Sequence, residues 1–153
     1  MLKMNYVADI TLSADGAILA DNDVIAATQE VTNFFHEAGG AAEIRSIQLI
    51  DDDDQAQDIE LIFLNANGSI GAENAAYTTT DAVLDTILGT FLIVIADYSD
   101  AINGQTATKR DIGLMLQAAE SSRSLWIGAV CRSGTPTYTA AGLKLKIGVK
   151  ALD

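Results

Sequence analysis

The sequence of 153 residues contains only one cysteine, one proline and one histidine. A single cysteine, Cys131, excludes a framework of intramolecular disulfides, so the fold must be held by packing or by association. A single histidine, His36, excludes a metal site built from several histidines. Pro136 is the only proline, so no stiff spacer divides the chain, and we expect a single domain over residues 1–153.

Long apolar runs are also missing. The longest, residues 91–96, has six residues, whereas a membrane-spanning helix needs about 20. The first residues contain no apolar stretch of signal-peptide length. We therefore expect a soluble protein that is made in a cytoplasm and has no membrane partner.

Short apolar runs separated by glycine, asparagine, aspartate and serine predict a mainly β fold. Segments 59–64 and 91–96 are apolar at nearly every position, which predicts central strands covered on both faces. Segment 143–150 alternates apolar residues with Lys144, Lys146 and Lys150, which indicates one buried and one cationic face. We expect an antiparallel β-sandwich, jelly-roll-like, with about eight strands: 6–12, 29–35, 43–50, 59–65, 91–96, 112–118, 124–132 and 143–150.

Turn residues suggest how these strands are connected. Gly39 and Gly40 predict a hairpin between segments 29–35 and 43–50, and residues 120–122 predict another between 112–118 and 124–132. Helix formers in 111–120 leave a helix open there, but apolar alternation and Gly113 favour a strand. One short helix is expected near residues 81–88, with a capping-box spacing from Thr78 to Asp81 and Gly89 at its end.

Charge is divided unevenly along the chain. Residues 1–108 contain 18 acidic and two basic side chains, whereas residues 109–153 contain seven basic and three acidic ones, and the whole chain has a net charge of −12. Such a division favours oriented docking between subunits or onto a larger acidic partner, and it disfavours nucleic acid, whose phosphates the acidic part repels. Alternatively, distant strands interleave in the fold and the division has no spatial counterpart.

An acidic run lies between two predicted strands and consists of Asp51, Asp52, Asp53 and Asp54. Carboxylates at this density are potential calcium ligands, although Ala56 and Ile62 occupy the positions where the EF-hand loop needs glycine and glutamate. The alternative is a solvated turn that repels other chains. Calcium is therefore a weak candidate, and no other cofactor is expected.

No catalytic pattern stands out. Cys131 and His36 are conceivable as nucleophile and base, but Cys131 lies in an apolar run where cysteine is usually a small hydrophobic residue. The nucleophile-elbow, Walker and dinucleotide-binding spacings are absent. A sugar-binding platform is conceivable from the aromatic residues Tyr6, Tyr77, Tyr98, Trp126 and Tyr138, although such residues more often fill cores or interfaces. We expect a protein that is not an enzyme.

Several segments after residue 42 resemble the decoration, or cement, proteins of tailed-bacteriophage heads. The resemblance begins with the acid-rich turn and the apolar strand that follows it. It rests further on Asn65-Ala-Asn67, Ala96-Asp-Tyr98-Ser-Asp100, Ala107-Thr-Lys109, the segment 132–139 and the closing segment 143–148. The resemblance implies a β-sandwich on the outer surface of the capsid, often trimeric, that bridges neighbouring capsomers and carries no catalytic residues. An N-terminal arm, where such proteins have one, corresponds here to residues 1–5.

Composition is consistent with such an assembly, because 49% hydrophobic and 20% charged residues suggest that subunits cover part of one another's surface. We expect the major capsid protein and further copies of the chain as partners. The predicted capsid or intersubunit interface consists of Arg123, Arg132, Lys144, Lys146 and Lys150. The alternatives are another virion β-domain, from a tail, baseplate or fibre, and a carbohydrate- or calcium-binding β-sandwich module.

Overall fold

The computed structural model describes residues 5–152, so the arm considered for residues 1–5 lies outside the described residues except for Asn5. Within the described part, helix α1 is Asp81–Leu84, and Ile95–Asp97 forms a 3-10 turn. No helix there has the length and apolar character needed to cross a membrane. The strands are β1 (Asn5–Leu12), β2 (Val24–Val31), β3 (Ala41–Asp51), β4 (Ile59–Leu64), β5 (Ile87–Ile93), β6 (Tyr98–Asp100), β7 (Gln105–Gln117), β8 (Leu125–Cys131) and β9 (Leu143–Ala151).

These strands form two antiparallel sheets. The five-stranded sheet has the order β1-β9-β3-β7-β6, and the four-stranded sheet has the order β2-β8-β4-β5. Without the short β6, the other eight strands are divided between the sheets as in a jelly roll, which is built from two Greek keys. The predicted mainly β, jelly-roll-like sandwich with one short helix is confirmed, with nine strands in the described residues instead of about eight.

The main core lies between the two sheets. In β9 the side chains of Leu143, Leu145, Ile147 and Val149 are buried, and the intervening lysines face outward. The period of two that the sequence shows in this strand is therefore confirmed. Burying an aliphatic side chain of this size contributes about 1.5–3 kcal/mol, so the alternation also fixes the register of β9 between β1 and β3.

A second apolar cluster covers the outer face of the four-stranded sheet. Segment 65–86 crosses this face and places Ile70 against the sheet, where a Cβ on Gly128 would meet Ile70 Cδ1 at 2.4 Å. Strand β4 is consequently buried on both faces, as its apolar sequence predicts. The fully buried members of the cluster are Val24, Ile62, Leu64, Ile70 and Val130.

Segment 91–96 is not a central strand. Its first residues end β5, which is an edge strand, and residues 95–97 form the 3-10 turn. Leu92 and Ile95 are exposed. An apolar run does not by itself show whether a strand lies at the edge or in the centre of a sheet. Segment 29–35 is likewise shifted, because β2 ends at Val31 and the buried Phe34 and Phe35 belong to the following loop.

Both predicted hairpins are wrong, because each turn carries the chain from one sheet to the other. β2 and β3 lie in different sheets, as do β7 and β8. The two turns instead lie against each other, since Gly39 N donates to Ser122 O at 3.0 Å and Phe35 N donates to Arg123 O at 2.9 Å. Glycine-rich turns allow a reversal but do not specify whether the reversed strand pairs in the same sheet.

The helix is shorter than predicted. It starts with Thr80 as the N-cap, whose side chain accepts a hydrogen bond from Val83 N, and it ends at Leu84. Residues 87 and 88 belong to β5, and Gly89 lies in that strand, where a Cβ would meet Leu114 Cδ1 at 3.0 Å. The segment is extended where it pairs with β4, and Leu114 of the opposite sheet packs closely against Gly89.

The preference for a strand over a helix near residues 112–118 is confirmed, since β7 extends from Gln105 to Gln117. This strand contains a bulge opposite Arg45, where Asp111 and Gly113 have φ angles of 53° and 68°. Gly113 adopts this left-handed conformation without the Cβ penalty of other residues. The bulge breaks the regular edge of β7, which reduces strand-to-strand aggregation.

Candidate interaction surface

The outward face of the five-stranded sheet carries five of the eight lysine and arginine side chains within residues 5–152. Cross-strand pairs point to the same face of a sheet, so the register places these side chains together with two acidic ones, Asp9 and Glu43. We call this surface the basic face. Its cationic residues are Arg45, Arg110, Lys144, Lys146 and Lys150.

The basic face therefore has an excess of positive charge in a protein whose net charge is −12. The two halves of the sequence do not correspond to two ends of the molecule, because the cationic β9 lies between β1 and β3 of the acidic half. Charge is nevertheless separated in space, with cations collected on one sheet face. A field of this kind orients the approach of a charged partner.

Three cations of this face have acidic neighbours. Lys144 Nζ lies 2.5 Å from Asp52, Lys146 Nζ lies 3.5 Å from Asp9, and Arg45 Nη1 lies 3.5 Å from Glu43. These pairs are largely exposed, so each contributes at most about 1 kcal/mol to stability. Lys150 and Arg110 form no ion pair or side-chain hydrogen bond within residues 5–152. Their charge is available to a partner.

A shallow depression of about 580 Å³ interrupts the basic face at Gly148. Arg45 and Lys150 stand at its rim together with Val7, whose side chain is 60% exposed. Gly148 lies between Val7 of β1 and Ser46 of β3 in one cross-strand row. A row of this kind normally presents a side chain from every strand, so the depression exists because the central residue has none.

The five predicted interface residues do not form one surface. Lys144, Lys146 and Lys150 lie on the basic face, whereas Arg132 lies by the outer side of the other sheet, where Nε contacts Glu60 Oε2 at 2.6 Å. Arg123 lies in the loop between β7 and β8 and donates from Nε to Phe35 O at 3.1 Å. Each arginine is held by its own structural partners, and the interface role of the three lysines stays a prediction.

Sequence reasoning missed Arg45 and Arg110 as members of the basic face. Arg45 belongs to the acidic half, and Arg110 lies outside the predicted strand 112–118. The signal for Arg45 was its position in the predicted strand 43–50, two residues after Glu43, which places it on the outward side. Arg110 could be assigned to this face only from the pairing of β3 with β7, in which its partner is Ser46 of β3.

The acidic run forms a closed turn whose four carboxylates point to different partners. Asp51 is fully buried and accepts hydrogen bonds from the backbone N–H groups of Asp53, Gln55 and Ala56 at 2.8–3.0 Å. Asp53 accepts from Thr139 N and Oγ1, both at 2.9 Å. Asp52 pairs with Lys144, and Asp54 accepts from the Gln105 amide at 2.6 Å.

This arrangement changes how the acidic run is interpreted. It is a structural turn rather than a freely solvated one. Among residues 5–152 no group of three or more histidine, cysteine, aspartate or glutamate side chains is placed to hold a metal ion. Calcium binding by the run stays a prediction, and it would require these four side chains to give up their present partners. Burial raises the pKa of Asp51, against the effect of its backbone hydrogen bonds.

The structure separates Cys131 from His36. Cys131 ends β8 and is fully buried, whereas His36 lies beside the loop that meets Arg123 at the other end of that strand. Burial raises the pKa of the Cys131 thiol, which disfavours the reactive thiolate. The two residues are too far apart to act as nucleophile and base.

The aromatic residues are spread over the molecule and do not form one platform. Tyr138 is buried, Tyr6 packs edge-on against Phe34, and Arg132 lies 5.4 Å from the centre of the Tyr77 ring. Tyr98 donates to the carbonyl of Gln57, and burial raises its pKa. Tyr6, Tyr98 and Tyr138 belong to or pack against the main core, whereas Tyr77 and Trp126 pack against the second apolar cluster.

Comparison with known proteins gives weak likenesses of fold. No protein-family model matches the chain. No curated protein sequence matches it. Among solved structures, Desmodium yellow mottle tymovirus matches with a TM-score of 0.33 and 14% identity over 96% of this chain and 79% of the other. Tomato aspermy virus matches with a TM-score of 0.39 and 7% identity over 100% and 80%.

A third solved structure, a Bacteroides thetaiotaomicron protein suggested to bind sugar, has a TM-score of 0.33 and 11% identity over 97% of this chain and 82% of its own. Likenesses at this level identify neither a family nor a function.

Proposed function

We propose that this chain is a non-enzymatic structural protein of a virus particle, a decoration protein of the tailed-phage kind. It binds the outer surface of the capsid and bridges neighbouring copies of the major capsid protein. The observation that carries the proposal is the basic face, a broad sheet surface with five cations on an otherwise strongly acidic protein. Such a face is complementary to an acidic protein surface.

The distribution of charge suits a protein that must dock in one orientation. The basic face is attracted to an acidic shell, and the remaining acidic surface is repelled by it, so the wrong orientations are disfavoured. Single exposed ion pairs are weak. A decoration protein gains its affinity by repeating such contacts around a symmetry axis, and we propose a trimer as the unit that does so.

The fold and the sequence resemblance support the same proposal. Jelly rolls occur in viral capsid domains, but also in lectins and cupins, so the fold alone does not determine function. The similarity of segments 65–67, 96–100, 107–109, 132–139 and 143–148 to decoration proteins adds the virion context.

The decisive experiment is binding to expanded heads of a tailed phage whose genome encodes the chain, purified without it. We expect co-sedimentation that weakens as salt rises. Replacement of Lys144 and Lys146 by glutamine should lower occupancy several-fold. The matched control replaces Lys109 and Arg123 by glutamine, which removes the same charge away from the basic face and should leave occupancy close to that of the original protein.

Copy number distinguishes decoration from other places in a virion. Quantitative mass spectrometry of purified particles should find hundreds of copies per particle. A count of tens or fewer would instead indicate a tail, baseplate or fibre component. Failure to bind heads, with particles that contain no copy of the chain, would refute the virion assignment altogether.

A further inference from the structure

The depression at Gly148 lets a partner side chain approach the backbone of the sheet within the basic face. Gly148 belongs to the interior of β9 and pairs with Val7 on one side and Ser46 on the other. Glycine inside a strand often marks a close approach by another chain. Here a Cβ on Gly148 would meet Ser46 Oγ at 2.3 Å, so a larger side chain at position 148 would displace the Ser46 hydroxyl and enter the depression.

Positive charge surrounds this opening. Lys146 and Lys150 lie two residues away on either side of Gly148 in the same strand, at a Cα spacing of about 6.6 Å. Arg45 adds a guanidinium at the rim, 3.5 Å from the carboxylate of Glu43. Lys150 has no ion pair within residues 5–152. A carboxylate above Gly148 would therefore supply Lys150 with its missing counter-ion and share Arg45 with Glu43.

We propose that this depression receives an acidic side chain, aspartate or glutamate, from an extended segment of the partner protein. Charge complementarity selects the carboxylate, and the exposed Val7 at the rim provides apolar contact for the methylene groups of that side chain. The inference rests on the proposed function, in which the partner is the capsid shell. It assigns the centre of the docking surface to Gly148, Arg45 and Lys150.

The first test fills the depression without changing charge. Gly148→Val should weaken binding to expanded heads about tenfold, because central contacts dominate interface affinity. Thr108→Val is the matched control, since it adds a valine to an exposed strand position of the same sheet outside the depression. Lys150→Gln offers a second variant that leaves the backbone untouched and should also weaken binding about tenfold.

The second test uses a defined probe. In NMR titrations of the complete chain, an end-capped tetraglutamate peptide should shift the amide signals of Val7, Arg45 and Gly148 in the original protein. Tetraglutamine should not shift them, and Gly148→Val should abolish the effect of tetraglutamate. Shifts spread evenly over all lysine-bearing segments, or tighter binding of a single-stranded oligothymidine at the same residues, would overturn the inference.

The two proposals fail in different ways. Gly148→Val and Lys150→Gln could bind heads as tightly as the original protein, while the Lys144 and Lys146 double variant does not. In that case the depression does not receive an acidic side chain, and the decoration role stands. If the original protein does not bind heads but tetraglutamate still shifts the amide signal of Gly148, binding of an acidic side chain in the depression is supported and the decoration role is wrong.

Discussion

The outward faces of the two sheets differ in what lies on them. The face of the four-stranded sheet is covered by segment 65–86, which buries Ile62, Leu64 and Ile70 completely. The basic face of the five-stranded sheet has no covering segment among the described residues, and it carries five cations together with exposed apolar side chains such as Val7. One face therefore contributes a second apolar core to stability, whereas the other is free to meet a partner.

The cations on the two sides illustrate this difference. Arg132, beside the covered face, is three-quarters buried and is held by Glu60, Asn22 and the Tyr77 ring. Lys146, on the basic face, is half exposed and lies 3.5 Å from one acidic partner, Asp9, whose side chain is also exposed. The same positive charge is thus structural on one side and available for association on the other.

The largest expected effect is the loss of a side chain from the covered face. Ile62→Ala should lower the free energy of unfolding by about 2–5 kcal/mol, since it removes apolar contacts and leaves a cavity. Val7→Ala on the basic face should change it by less than about 0.5 kcal/mol. Urea unfolding measures both changes, provided that the free energy of unfolding depends on urea concentration with the same slope in each variant. Similar losses in the two variants would contradict the distinction between the faces.

The second-largest effect is expected for the buried carboxylate of Asp51, in the acidic turn that joins the two sheets. Asp51→Ala should cost about 2 kcal/mol at pH 7, because three backbone N–H groups lose their acceptor. The matched control is Asp54→Asn, which removes the charge of an exposed carboxylate that accepts from the Gln105 amide and keeps a residue type that tolerates the positive φ of 57° at this position. A loss from Asp54→Asn as large as that from Asp51→Ala would show that burial does not set the difference.

The stability contributed by Asp51 should also depend on pH. Burial raises its pKa above the unfolded value of 3.8, so the native state binds the proton more tightly than the unfolded chain does. The stability difference between the original protein and Asp51→Ala should therefore decrease as pH rises from about 4 through the native pKa. Unfolding curves at pH 4 and pH 7 measure it, and an increase would reverse the assigned direction.

Replacing Arg132 or Lys146 by glutamine should have smaller effects, one on stability and the other on binding. Arg132→Gln should lower the free energy of unfolding by about 1–2 kcal/mol, because Glu60 is left partly buried without its counter-ion. It should leave binding to expanded heads unchanged. Lys146→Gln should change stability by less than about 0.5 kcal/mol and should lower head binding. Equal behaviour in both assays would remove the functional contrast between the faces.

The smallest effect is expected for the edge pair Asp97 and Lys109, which belongs to neither face. Partial burial alone would raise the pKa of Asp97, but hydrogen bonds from Lys109 and from Val94 N hold it below 3.8. Asp97→Asn should therefore cost less than about 1 kcal/mol. The cost should be present at neutral pH and disappear as pH falls through the native pKa. A cost that persists at pH 2 would point to packing instead of charge.

Much of the fold was predictable from local pattern. The limits of β3, β4, β8 and β9 follow from apolar periodicity within one or two residues. The edge position of β5 and the sheet changes after β2 and β7 were not predictable. They depend on which strands meet across the sandwich, and the apolar runs and glycine turns look the same in a hairpin and in a crossover.

The candidate site was predictable only in part. The alternation in β9 was sufficient to assign Lys144, Lys146 and Lys150 to one face. Arg123 and Arg132 were grouped with them by sequence proximity, but their strands and loops place them elsewhere. Arg45 and Arg110 joined the face through the register of β3 and β7, which is a property of strand pairing and not of either segment alone.

By itself, the sequence determined the β class, the buried side of each regular strand and the strong excess of acidic charge. These properties arise from the side-chain period of two and from composition, which are local. Only the tertiary structure decided which sheet each strand joined, that segment 65–86 covered one face, and that five cations collected on the other. Those outcomes depend on contacts between residues far apart in the chain, because buried apolar area is gained only when distant strands pack together.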